Sequence, residues 1–78
     1  MRDKVFATFA RVMGLEPGGL TGAESPDTVP AWDSFRHMNL VMALEEDLGV
    51  LLDDEAVVGM TSLDAAVAVV AGRCGAAA

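Results

Sequence analysis

The segment "PAWDSFRHMNLVMALEEDLG", residues 30–49, is where the fold of this chain declares itself. At about 100° per residue, Leu40, Val41, Leu44 and Leu48 gather on one side of a helix, an ordinary core face. Phe35, Met38 and Met42 form a second apolar stripe roughly 140° away by the same arithmetic. Asp33 is a good N-cap, because its carboxylate accepts from the free N–H groups of a first turn. The helix therefore starts at Asp33 or Ser34 and stops before Gly49. That places Ser34, the lone serine of the segment, at the helix mouth.

Working outward, Val5, Phe6, Phe9, Val12 and Met13 carry the spacing of one helix face, which predicts helix 1 over about residues 3–13 with a stop at Gly14. The segment "LEPGGLTGAESPDTVPAW" follows, with three prolines and three glycines and neither helical nor strand periodicity. Loops of this length in small domains are usually functional or disordered. Leu15, Leu20, Val29 and Trp32 are spaced to pin this one onto a core, as an ordered crossover along the bundle. Beyond Gly49, "DDEAVVG" predicts a short, loosely held helix 3, capped by Asp53 and closed by Gly59. "TSLD" opens helix 4, with Thr61 as cap and Asp64 as the capping-box acid. Leu63, Ala66, Val67 and Val70 are its buried stripe, and "GRCGAAA" is expected to fray. The fold class is all-α: one domain, residues 1–78, forming a small four-helix bundle with a long loop between helices 1 and 2 and a short helix 3.

Composition narrows the function. Seventy-eight residues leave no room for an enclosed active site built from several loops, and 53% hydrophobic content argues for a folded chain. The net charge of −7 argues against nucleic acid, whose phosphates require clustered Lys and Arg, and suits basic protein partners. The single cysteine, Cys74, excludes an internal disulfide and any zinc site built on cysteines. "AAVAVVAG" is too short to span a bilayer, and "MRDKVFATFARVMG" lacks the continuous apolar region of a secretory leader, so no membrane role is expected and the cytoplasm is the expected location. "EEDLGVLLDDE" does not follow the EF-hand order, and His37 has no second His or Cys ligand at useful spacing, so no metal site is expected.

A helix in so small a bundle cannot easily bury both of its sides. Glu45 and Glu46 flank the Phe35–Met38–Met42 stripe and need water, which marks the stripe as a partner contact rather than core. Methionine suits a surface that accepts several partners. The competing arrangement has the long loop folding over the stripe. Ser34 is not needed as a cap beside Asp33. It is also a poor nucleophile, with His37 three residues on, no third group and no Gly-x-Ser-x-Gly elbow. A hydroxyl at a helix N-terminus is well placed to carry a phosphate.

With these residues in view, "WDSFRHMNLVMALEEDLGV" resembles the Asp-Ser-Leu pattern and following acidic-ended helix of the acyl carrier protein family, and "MTSLDAAVAVV" resembles that family's last helix. The likeness is close from helix 2 through helix 4 and extends to helix 1 and the loop by layout. It implies a stand-alone, monomeric carrier that catalyses nothing itself. Ser34 would receive 4′-phosphopantetheine from coenzyme A through a separate phosphopantetheinyl transferase that uses Mg²⁺, and the arm would carry acyl groups as thioesters. The implied partners are acyl-loading and acyl-processing enzymes of acyltransferase, ketosynthase or ligase type. The family's docking positions correspond here to Phe35, Met38, Met42 and Glu45, with Glu46 beside them and Asp33 preceding the serine. Phe35 replaces the usual leucine, Asn39 stands where many members have an acid, and Arg36 and His37 add positive character to helix 2. "PAWDS" lacks the Gly-Gly typical of peptidyl or aminoacyl carriers, and a specialised polyketide-like or modified-acyl pathway is expected rather than general fatty-acid synthesis. The alternative from another class is a helical adaptor that binds a partner through the Phe/Met stripe with Ser34 unmodified, and a peptidyl or aminoacyl carrier is the second alternative.

Overall fold

The computed structural model describes the backbone of residues 2–77 and the side chains of residues 2–73. Four helices follow in order: α1 (Arg2–Met13), α2 (Ser34–Leu48), α3 (Asp54–Gly59) and α4 (Leu63–Ala77). The chain is all-α, with the long crossover between α1 and α2 and the short α3 that the sequence predicts. Within the crossover, Pro17–Gly19 forms one 3₁₀ turn that the absence of periodicity did not reveal. The α4 backbone is helical through Ala77, while the side chain of Cys74 lies outside the described residues.

Local chemistry accounts for most helix ends. Gly14, at φ 73°, closes α1 while the Leu15 N–H reaches back to the Ala10 carbonyl at 2.9 Å, the six-to-one bond of a Schellman stop. Asp33 caps α2 by accepting the Arg36 N–H at 2.8 Å, and Gly49, at φ 67°, ends it. Asp53 caps α3 through the Ala56 N–H at 2.9 Å. At α4 the expectation fails. The cap is Ser62, whose Oγ accepts the Ala65 N–H at 3.0 Å, not Thr61, and Asp64 turns outward to pair with Arg2 at 2.8 Å. The other free donors of that first turn find acceptors in the crossover: Leu63 N–H on the Glu24 carbonyl and Asp64 N–H on the Gly22 carbonyl, each at 2.8 Å.

Those two bonds explain why the crossover is ordered. Glu24 also turns its carboxylate onto the N–H groups of Gly22, at 2.8 Å, and Thr21, at 3.0 Å. Val29 and Trp32 enter the core, where the Trp32 ring meets Phe9 edge-on with centroids 4.9 Å apart. Leu20 is half-buried, but Leu15, expected to pin the loop, is exposed just past the α1 stop. The shared core is completed by Val5, Phe9 and Met13 of α1, Leu40, Val41 and Leu44 of α2, Ala56 of α3 with Met60 beyond it, and Leu63, Ala66 and Val70 of α4. α1 and α2 are further linked through Asp47, which accepts from the buried Thr8 hydroxyl at 2.8 Å and pairs with Arg11 at 3.0 Å.

Two substitutions test this account of the crossover. Gly22 has φ 104°, and a Cβ there would overlap the Asp64 carboxylate, whereas Gly18 faces open space. Gly22→Ala should therefore destabilise by more than about 1 kcal/mol in a urea titration, while Gly18→Ala should stay within about 0.5 kcal/mol. Equal effects would contradict a crossover seated on α4. Desolvation pushes the Glu24 carboxyl up, but hydrogen bonds from Thr21 and Gly22 outweigh it and hold its pKa below the ordinary value. A folded-state pKa below the unfolded one adds stability that is complete above the ordinary carboxylate range of about pH 4 and is lost as pH falls through the lowered value. Glu24→Gln should accordingly lose less stability than the wild type between about pH 5 and about pH 2 in a melt series. Parallel acid limbs would remove Glu24 from the account.

Candidate functional site

Ser34 is the first residue of α2 and is exposed. With Asp33 serving as cap, no hydrogen bond among the described residues uses the Ser34 hydroxyl, and the N–H groups of Ser34 and Phe35 are likewise unbonded. Unpaired N–H groups at the positive end of a helix dipole favour an anion bonded nearby. The hydroxyl opens onto a groove of about 750 Å³ between the crossover, α2 and α3. Met38, Val57 and Val58 supply apolar lining, and Asp27 and Asp33 supply acids on the crossover side.

The stripe on α2 is exposed: Phe35 at 72%, Met38 at 50% and Met42 at 56% of full accessibility. The crossover does not cover it: its Gly22 and Glu24 carbonyls bond to α4 and its Trp32 ring packs on Phe9 of α1. Leu51, at 85%, and Val58, at 76%, add exposed apolar residues that helical periodicity in α2 could not flag, since both lie beyond Gly49. Glu46 stands in solvent, but Glu45 is half-buried and its carboxylate accepts the Leu52 N–H at 2.9 Å, so it holds the turn between α2 and α3.

Arg36 and His37, expected to add positive character to helix 2, are both hydrogen-bonded to neighbouring elements. Arg36 reaches across to the Val12 carbonyl at the end of α1, at 2.6 Å. His37 accepts from the Trp32 indole of the crossover at Nδ1 and lies 2.9 Å from the Val57 carbonyl of α3 at Nε2. Two of the acids around the α2–α3 turn are ion-paired. Asp47 is paired with Arg11, and Asp53 caps α3 and pairs with Arg73 at 2.9 Å. The Ala56 N–H and then the Arg73 guanidinium hold the Asp53 carboxyl below its ordinary pKa. No group of three His, Cys, Asp or Glu side chains suited to a metal ion occurs among the described residues, and no described helix is long and apolar enough to cross a membrane.

Comparison with protein-family models and with curated proteins gives no match to this chain.

The geometry separates surface from core on α2. Met42→Ala should cost well under 2 kcal/mol, whereas Leu44→Ala, fully buried on the opposite side, should cost about 2–5 kcal/mol in chemical denaturation. Similar losses would mean that the stripe is core. Glu46→Lys should stay within about 0.5 kcal/mol, and Glu45→Lys should lose about 1 kcal/mol with its bond to Leu52.

Proposed function

We propose that the protein is an acyl carrier whose Ser34 bears 4′-phosphopantetheine. The observation that carries this reading is the exposed, unbonded Ser34 hydroxyl at the N-terminus of α2, opening on an apolar groove beside an uncovered Phe35–Met38–Met42 face. The chain supplies three things: an accessible oxygen, N–H groups suited to a phosphodiester, and a surface for the enzymes that load and use the arm. It supplies no base for Ser34, because both nitrogens of His37 are engaged with Trp32 and Val57. Activation of the hydroxyl therefore belongs to a separate transferase. In that step the Ser34 oxygen bonds to the phosphorus of the pantetheine phosphate, the pyrophosphate of coenzyme A is cleaved, the nucleotide half departs and the serine proton is released. The thiol of the arm then carries acyl groups to partner enzymes of acyltransferase, ketosynthase or ligase type. The aromatic Phe35 after the serine and the absence of Gly-Gly before it favour a specialised polyketide-like or modified-acyl pathway over a peptidyl carrier.

The uncovered apolar face also favours a second reading, a helical adaptor with an unmodified serine. Intact mass distinguishes the two. Incubated with coenzyme A, Mg²⁺ and a promiscuous phosphopantetheinyl transferase, the wild type should gain one phosphopantetheine and Ser34→Ala none. An unmodified wild type, or equal modification of Ser34→Ala, would defeat the carrier reading.

A further inference from the structure

His37 stands where three elements meet. Its Nδ1 accepts the Trp32 indole N–H from the end of the crossover at 2.8 Å, and its Nε2 faces the Val57 carbonyl of α3 at 2.9 Å. An indole N–H only donates and a carbonyl only accepts, so together they select one form of the ring: bare at Nδ1 and protonated at Nε2. The Trp32 and His37 ring planes lie 20° apart, which keeps the bond to Nδ1 close to the imidazole plane. A second proton can enter only at Nδ1. It would then point at the indole N–H, and two donors at that separation must part.

We propose that His37 is a proton-operated latch on the groove. Neutral, it ties the crossover and α3 to α2. Protonated, it frees the Trp32 indole and unties the end of the crossover, while its Nε2–H still donates to the Val57 carbonyl and keeps α3 on α2. The charged surroundings leave His37 as the moving part. Asp27 and Asp33 of the crossover line the same groove and draw an imidazolium toward them, but neither is ion-paired with His37 among the described residues. On α2, Arg36 is turned away to the Val12 carbonyl of α1. α3 faces the groove with Val57 and Val58, and its acids Asp53, Asp54 and Glu55 lie nearer its N-terminus. α1 meets the Trp32 side of the pair with the uncharged Phe9. The latch operates whether or not Ser34 carries a phosphopantetheine arm.

The chain has one histidine and one tryptophan, so NMR signals of both rings are unambiguous. The test is a titration of the full chain from about pH 8 to about pH 5, the window in which histidine changes charge. At the upper end the ring nitrogens should report the Nε2-protonated tautomer. On acidification the indole N–H should shift with the same midpoint as the ring, and its solvent exchange should rise roughly five- to tenfold, the worth of one hydrogen bond. His37→Gln keeps a donor and an acceptor but does not titrate, and should abolish the transition. The proposal is overturned if the ring stays neutral across the window, or if it takes up its proton while the indole N–H stays still. An Nδ1-protonated ring at high pH overturns it equally, as does a surviving transition in His37→Gln. Should that variant fail to fold, the wild-type titration decides alone.

Discussion

Two carbonyl groups of the crossover, at Gly22 and Glu24, accept from the first N–H groups of α4, and the remainder of the molecule is arranged around that contact. A connection of about twenty residues without regular structure carries many backbone groups, and each must find a partner or water. Here the deficit of the loop meets the opposite deficit of a helix N-terminus, which has donors and no acceptors. Gly22 allows the approach, because only a residue without a Cβ fits beside Asp64 in that conformation. Once the crossover lies against α4 at one end, Trp32 drops onto Phe9 at the other, and the chain enters α2 with its direction set.

That placement decides what α2 shows to solvent. Had the crossover run over Phe35, Met38 and Met42, the helix would have been buried on both sides and Ser34 would have opened onto protein. Because it runs the other way, one side of α2 joins the core and the other is left to water, with Ser34 at the boundary. The groove beside the serine is likewise framed by two short tethers of α3, the His37–Val57 contact to α2 and the Asp53–Arg73 pair to α4.

The sequence was most informative where cause and effect lie within a turn of each other. Asp33, Asp53, Gly14 and Gly49 act on N–H and carbonyl groups a few residues away, and the helix ends follow from them. The stripe of α2 was equally legible, since a period needs only one helix to express it. Legibility failed where a side chain's partner is distant in sequence. Thr61 and Ser62 are both plausible caps, and only the docking of Gly22 and Glu24 selects Ser62. Asp64 fits a capping box until Arg2, sixty-two residues earlier, is folded against it. Glu45 reads as a surface acid because its bond to Leu52 forms across a reversal of the chain, and Arg36 and His37 read as surface charges because Val12, Trp32 and Val57 are invisible to periodicity.

The seating of the crossover on α4 also bears on how the molecule assembles. Helical bundles usually fold fast because their contacts are local. In this chain the first turn of α4 is completed by residues about forty positions earlier, so its Leu63 and Asp64 N–H groups cannot meet their native acceptors until a long segment has closed on itself. During synthesis α1, the crossover and α2 all leave the ribosome before the acceptors at Gly22 and Glu24 meet their donors. The consequence is a domain of local helices with a non-local keystone, one whose parts must find each other together.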